Sequence, residues 1–160
     1  MKRDISNRKY QPCPTPEANT PVGYTSAEIK VLVQDYHDLY REAFIAVLRI
    51  NGINVISEIQ DGIDILQAIT PANQPDIAII NYKTSKRESL NAACSIKERY
   101  PHIKIIINSQ FNYSLPIDRI IQIGIEGIII KAIHSTAHVI STIRLVYSGG
   151  CSYTINTPVL

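Results

Sequence analysis

Cysteine is scarce in this sequence, and long apolar runs are absent. The three cysteines, Cys13, Cys94 and Cys151, form no CxxC pair and no even set. Their spacing predicts neither a disulfide framework nor a cysteine metal site, so we expect reduced thiols in a cytoplasmic protein. No stretch reaches the length of a membrane span, and the basic start leads into proline and polar residues, which argues against a secretory signal.

Charge is also sparse and nearly balanced. Lysine and arginine together number 16 and aspartate and glutamate 14, a formal net charge of +2, and no Lys/Arg cluster forms a stripe. Direct binding of nucleic acid or of an anionic membrane is therefore not predicted. The hydrophobic fraction of 45% in 160 residues is typical of a soluble globular domain that is large enough to bury a core.

The composition divides the chain into three parts. Residues 1–27 contain four prolines and few large apolar side chains, so we interpret them as a flexible leader. Residues 28–149 carry the periodic apolar pattern of a folded domain. Residues 150–160 are interpreted as a tail or the start of a linker.

Within the domain, isoleucine-rich segments alternate with segments of helical periodicity. Strands are predicted at 29–34, 53–57, 76–81, 103–108 and 127–131. The first helix is predicted to begin at Asp38 and to be stopped by Gly52, which suits the C′ position. Further helices are predicted at 61–70, 85–100, 114–124 and 135–148. The third opens on an S-x-x-E capping box at Ser85 and Glu88, and the fourth ends at Gly124. Five such units predict an α/β fold with a doubly wound parallel sheet. The chain has no GxGxxG after the first strand and no GxxxxGK, which disfavours dinucleotide and P-loop sites.

Polar side chains follow four of the strands: Asp35, Asn81, Ser109 and Lys131. Ligands of such sheets bind in the crevice outside the carboxyl ends of the strands, so these residues are candidates for a site. From the residues alone, simpler roles remain open. Asn81 could be a turn residue, Ser109 a turn hydroxyl, and Lys131 with Asp35 a structural ion pair. The histidines lack the spacing of metal ligands, and no metal site is predicted.

Five segments, in order and spacing, resemble the receiver domain of two-component response regulators. They are KVLVQDYHDLYREAF, QPDIAIINYK, KERYPHIKIIINS, GIEGIIIK and IRLVYSGG. The similarity covers about residues 29–151 and is strongest to the branch that is usually followed by a helix-turn-helix. It implies a flavodoxin-like receiver fold with the strand order 2-1-3-4-5.

The resemblance also implies a phosphorylation site and shows where this chain departs from it. In the family, two acids after the first strand hold Mg²⁺, and an aspartate ending the third strand accepts the phosphoryl group. Here the first acid is Asp35, Tyr36 replaces the second, and Asn81 replaces the acceptor. A carboxamide is uncharged and is not a credible nucleophile for an acyl phosphate, which forms from a carboxylate. One remaining acid also has little affinity for a dication.

The family's phosphoryl-contacting hydroxyl and amine are retained as Ser109 and Lys131, and Ile128 stands where an aromatic usually reports phosphorylation. The resemblance with these departures predicts a degenerate receiver domain, which signals through protein contacts without aspartyl phosphorylation, in transcriptional regulation. No enzyme activity, cofactor or metal is expected. The alternative is a kinase-switched input domain of a DNA-binding response regulator that uses a non-standard site.

The expected partners are a second copy of the chain and a sensor kinase or other regulatory protein. DNA would be bound only through a domain outside this chain, and no membrane contact is expected. The first helix has one core stripe, which leaves Ile45 on the surface, and Ser141 and Leu145 lie off the core stripe of the last helix. The right-handed crossover rule puts these helices side by side. The three residues are therefore predicted to form a dimer surface. The core stripe of the first helix is Tyr40, Ala43, Phe44, Val47 and Leu48.

Overall fold

The computed structural model describes residues 27–61, 65–83, 88–111 and 115–153. Five strands alternate with five helices in these ranges. None of these helices is long and apolar enough to cross a membrane. The elements are β1 (Lys30–Gln34), α1 (Asp38–Ile50), β2 (Asn54–Ile59), α2 (Ile65–Ala68), β3 (Ile77–Tyr82), α3 (Glu88–Arg99), β4 (Lys104–Ser109), α4 (Ile117–Ile123), β5 (Gly127–Ile130) and α5 (Thr136–Tyr147).

The five strands form one parallel sheet in the order β2-β1-β3-β4-β5, which confirms the predicted topology. Apolar side chains of the strands alternate between two clusters, one on each face. One cluster contains side chains of α1 and α5, and the other contains side chains of α2, α3 and α4. Burial on both faces explains why the strands are isoleucine-rich runs and not alternating apolar and polar segments.

Two helix ends follow the predicted glycine signals. Gly52, after α1, has a φ of 76°, and Gly124, after α4, has a φ of 86°. These left-handed conformations favour glycine because it has no Cβ. The capping-box residue Ser85 and the predicted α4 start at Ser114 lie outside the described residues.

The predicted surface position of Ile45 is wrong. Its side chain is only 3% exposed and belongs to the apolar cluster that also contains Val139 and Ile143 of α5. Helix α1 therefore packs against both the sheet and α5. Its buried face is wider than the single stripe that the sequence predicted. Ala43, which the stripe placed in the core, is exposed instead.

The chain after α5 runs along the outer edge of β5. The Ser152 N–H donates to the Glu126 carbonyl (2.8 Å), and the Ile128 N–H donates to the Ser152 carbonyl (2.9 Å). The Tyr153 hydroxyl donates to the Ile125 carbonyl (2.6 Å). Further along β5, the Ile130 N–H donates to Nδ1 of His134 (3.0 Å). The end of the described chain is thus attached to the sheet.

One cysteine departs from the expectation of reduced thiols. Cys151 is disulfide-bonded, whereas Cys94 in α3 is a free thiol. Disulfide pairing depends on proximity in space, and widely separated cysteines give no signal of it in the sequence.

Candidate functional site

A row of polar side chains lies at the carboxyl ends of the strands, on the face covered by α1 and α5. Asn81 of β3 is paired in register with Asn108 of β4. By the alternation of side chains, both asparagines lie on the same face as Ile79 and Ile106, which belong to the α1–α5 cluster. Asp35 and Lys131 complete the row, and all four side chains are buried. The predicted convergence of Asp35, Asn81 and Lys131 is therefore observed in the structure.

Asp35 is fully buried, and both of its carboxylate oxygens are engaged. Oδ1 accepts hydrogen bonds from the backbone N–H of His37 (2.9 Å) and is 3.1 Å from Nδ1 of the same histidine. Oδ2 accepts from Nδ2 of Asn81 (3.1 Å) and from Nζ of Lys131 (2.5 Å). A carboxylate has about four acceptor positions. Those of Asp35 are occupied by neighbours within the chain.

Lys131 is the cation of this site, and its side chain is only 5% exposed. Its ammonium pairs with Asp35 and lies 3.9 Å from the centre of the Tyr40 ring, a cation–π contact. Burial lowers the pKa of the Lys131 amine, and the neighbouring Asp35 carboxylate opposes that shift. Lys131 is held between a carboxylate and an aromatic face, away from solvent.

Asn81 is a strand residue and not a turn residue, so the turn interpretation of the sequence is wrong. Its backbone N–H donates to Oε1 of Gln34 (3.1 Å), and its carbonyl accepts from the Ser89 hydroxyl (2.7 Å). Residue 82 continues the strand by one position. These bonds fix the backbone of Asn81, and its carboxamide is oriented by the bond to Asp35.

Ser109 and Ile128 do not join the Asp35 cluster. The Ser109 hydroxyl is buried and donates to the carbonyl of Phe111 (2.9 Å), which agrees with the turn role that its position suggested. Ile128 is fully buried in the cluster on the opposite face of the sheet. Ser109 contacts Lys131 only through the backbone, where the Lys131 N–H donates to the Ser109 carbonyl (2.8 Å). Within the described part of the chain, the side chain of neither residue is bonded to Asp35 or to the Lys131 ammonium.

Tyr36 extends from the end of β1 toward α3. Its hydroxyl donates to Oε2 of Glu88 (3.4 Å), and the ammonium of Lys83 lies 5.6 Å from its ring centre. Because Lys83 and Glu88 flank the end of β3 and the start of α3, the ring lies beside the β1–β3 crevice. The position next to Asp35 thus carries a half-buried phenol and not a carboxylate.

The residues present do not fit the Mg²⁺ ion that the receiver resemblance implies. Mg²⁺ is held by one or two carboxylates with near-octahedral geometry. The one acid of the row, Asp35, accepts three hydrogen bonds and also contacts Nδ1 of His37. The Lys131 ammonium lies beside its carboxylate, where a metal ion would have to bind. Among the described residues, no group of three or more His, Cys, Asp or Glu side chains is placed to hold a metal.

Sequence reasoning missed several members of the site. Asn108 donates to the Tyr40 hydroxyl (3.4 Å), and its own Oδ1 is buried and has no hydrogen-bond partner among the described residues. The guanidinium of Arg41 donates to the Asp35 carbonyl (2.7 Å). Burial raises the pKa of the Tyr40 phenol. Asn108 could have been found, because it ends an apolar run just as Asn81 does. The contacts of His37 and Arg41 carry no signal in the sequence.

Comparisons with known proteins agree with this architecture. The family model described as response regulator receiver domain matches residues 31–144. Among curated proteins, the probable transcriptional regulatory protein NarL of Mycobacterium tuberculosis is 26% identical over 105 residues, which cover 65% of this chain and 48% of that protein.

Solved structures share the fold. The signal receiver domain of the putative response regulator NarL from Mycobacterium tuberculosis superposes with a TM-score of 0.68 at 22% identity, covering 76% of this chain and 98% of that one. A structure of two RcsB dimers bound to two parallel DNAs gives 0.68 at 18% identity, covering 79% and 64%. The chain spans about half the length of the curated relatives it matches.

Proposed function

Because this chain belongs to the family of response regulator receiver domains, we propose that it is a member that signals through protein contacts without aspartyl phosphorylation. It is not an enzyme in this proposal, and it acts in transcriptional regulation. The proposal rests on the site residues, since one fold serves many functions.

One observation carries the proposal: Asp35 is saturated by contacts within the chain. Nδ2 of Asn81 and Nζ of Lys131 both bind Oδ2, and Oδ1 faces His37. Phosphoryl transfer needs a nucleophilic carboxylate and a metal to neutralise the developing charge. The acceptor position offers an amide, and the metal position offers an acid that is already paired with an ammonium group.

The wild-type chain is therefore expected to remain unmodified by small phosphodonors. The test is incubation with acetyl phosphate and Mg²⁺, followed by intact-mass measurement. A receiver domain with an intact acid site serves as the positive control. A hydroxylamine-labile gain of one phosphoryl group on this chain would contradict the proposal.

We extend the proposal to a homodimer formed through α1 and α5. Of the predicted surface residues, Leu145 is 38% exposed and Ser141 is exposed, whereas Ile45 is buried and has no part in the surface. Arg144 donates to the Asn51 carbonyl at the end of α1 (3.3 Å), so the exposed faces of the two helices are adjacent. Two copies that contact each other through the same surface are related by a two-fold axis, which is the commonest symmetry of soluble oligomers. RcsB, which shares the fold, is described as dimers on DNA.

The Leu145→Glu variant is expected to sediment as a monomer at concentrations at which the wild type is a dimer. A charge placed in an apolar contact leaves an uncompensated ion when the surfaces meet. Phe111→Glu is the matched control, because Phe111 is also a partly exposed apolar residue but follows β4, on another side of the molecule. A wild type that stays monomeric at high micromolar concentration, or a dimer indifferent to Leu145→Glu, refutes the dimer.

Other partners follow from the same proposal. A sensor kinase or another regulatory protein would contact this domain, and DNA would be bound only through a domain outside this chain. The nearly balanced charge of the sequence does not favour direct DNA binding, which depends on many phosphate contacts from lysine and arginine.

A further inference from the structure

The buried cluster of Lys131, Asn81 and Asp35 combines an amine, a carboxamide and a carboxylate that touches both. Nζ of Lys131 and Nδ2 of Asn81 are bonded to the same oxygen, Oδ2 of Asp35. Two nitrogens that share one acceptor are necessarily neighbours. The structure therefore places a primary amine beside a carboxamide, with a carboxylate able to exchange protons with both.

We propose that these three residues form an intramolecular amide cross-link between Lys131 and Asn81, with Asp35 as the catalytic acid and base. The cross-link would join the end of β5 to β3 across β4. It is an activity separate from phosphoryl transfer and does not depend on whether the domain signals without phosphate.

The reaction balances without any reagent from outside. Lys131 first gives one ammonium proton to Oδ2 of Asp35, to which it is bonded. The neutral amine then attacks Cγ of Asn81 and the Cγ–Nζ bond forms. The Asp35 carboxyl gives its proton to Nδ2 and takes one from Nζ, and the Cγ–Nδ2 bond breaks. Ammonia leaves and takes the remaining proton from Asp35. The products are a secondary amide, an ammonium ion and the original Asp35 carboxylate, and nothing is oxidised or reduced.

The surroundings favour each step. Asp35 is fully buried, Asn81 is 4% exposed and the Lys131 side chain 5% exposed, so water is largely excluded from the reacting groups. Lysine becomes a nucleophile when it is desolvated, and burial lowers the pKa of this amine. Fixed neighbours react as if at very high concentration, with effective molarities on the order of 10⁵ M or more. The backbone bonds of Asn81 to Gln34 and Ser89 hold the amide in place.

The amide of Asn81 is the electrophile, and the carboxylate of Asp35 is not. A carboxylate resists attack by an amine because it already carries negative charge. Loss of its oxygen would also need a second acid, and among the described residues of this cluster Asp35 is the only one. A Lys131–Asp35 amide would lose water, whereas the Lys131–Asn81 amide loses ammonia.

Intact-mass measurement of the purified, folded chain, before and after prolonged incubation, tests the proposal. The wild type is expected to become lighter by one ammonia, and proteolysis should release a branched peptide that joins the Lys131 and Asn81 segments. Lys131→Arg, Asn81→Ala and Asp35→Asn are expected to keep the full mass. Lys83→Arg, which replaces an exposed lysine near the end of β3, should lose ammonia as the wild type does.

The branched peptide from the wild type decides the result even where a variant fails to fold. Full mass in a wild type shown to be folded by circular dichroism overturns the proposal. Ammonia loss with only linear peptides also overturns it, since that pattern marks a cyclic imide at an asparagine. A branched peptide between Lys131 and Asp35, with loss of water, overturns it as well.

Discussion

The double variant Tyr36→Asp, Asn81→Asp is expected to accept a phosphoryl group from acetyl phosphate in the presence of Mg²⁺. Asn81→Asp supplies the carboxylate nucleophile in the strand position that the backbone already holds. Tyr36→Asp removes the ring beside the β1–β3 crevice and adds a second acid next to Asp35. Two acids flanking the new nucleophile draw Lys131 away from Asp35 and give Mg²⁺ free carboxylate oxygens.

The single variant Asn81→Asp should be phosphorylated far less. Asp35 remains bonded to Lys131 and His37, so the metal gains one new carboxylate only. We expect the double variant to exceed the single one by about tenfold in initial rate, equivalent to about 1.4 kcal/mol. The measurement is the intact-mass time course at matched Mg²⁺ concentration. Tyr36→Phe with Asn81→Asp keeps the ring and is the matched control. Equal rates in the single and double variants would show that position 36 is no obstacle.

Breaking the Asp35–Lys131 pair is expected to cost about 3–5 kcal/mol of unfolding free energy, the usual penalty for an unpaired buried charge. The change is Asp35→Ala, which leaves the Lys131 ammonium with the Tyr40 ring but without a counter-charge. All variants carry Asn81→Ala, so that no cross-link contributes to the stability. Urea unfolding followed by circular dichroism gives the free energies.

Two controls separate the buried pair from ordinary surface electrostatics. Replacing both partners, Asp35→Leu with Lys131→Met, should restore most of the loss, because an apolar pair leaves no charge to desolvate. Asp38→Ala removes an ion pair with Arg41 in which Asp38 is 64% exposed, and it should cost about 0–1 kcal/mol. A loss of that small size in Asp35→Ala would mean that the pair is solvated and that the site is open.

The parallel doubly wound sheet was predictable because two signals agreed along the chain, whereas its strand order was implied by the resemblance to receiver domains. Isoleucine-rich runs such as those of β3 and β4 are typical of strands buried on both faces, and helical segments between them require parallel crossovers. Glycines with positive φ then ended α1 and α4 where the sequence placed them. Buried strands and amphipathic helices can be recognised from the spacing of their apolar residues. Helix ends can be recognised from glycine, which tolerates a positive φ.

The candidate site was predictable only in part. Asp35, Asn81 and Lys131 were found because strand ends converge, whatever the partners of each side chain. Their hydrogen bonds were not predictable, because the choice between a turn amide and a strand amide at Asn81 depends on Gln34 and Ser89, which are distant in sequence. Ile45 was misplaced for a related reason. A single apolar stripe predicts that a helix packs against one neighbouring element. Helix α1 packs against two, the sheet and α5.

The chain along the outer edge of β5 limits the pairing of strands between two copies of this domain. Ser152 and His134 accept the outward N–H groups of Ile128 and Ile130, so that edge offers few free donors to a strand of another molecule. The opposite edge, β2, has an irregular register opposite Val31 and Leu32, and such bulges discourage strand addition. Growth of the sheet from molecule to molecule, the first step of aggregation, is hindered at both ends. Hindered edges are consistent with the dimer proposed above, in which α1 and α5 form the contact.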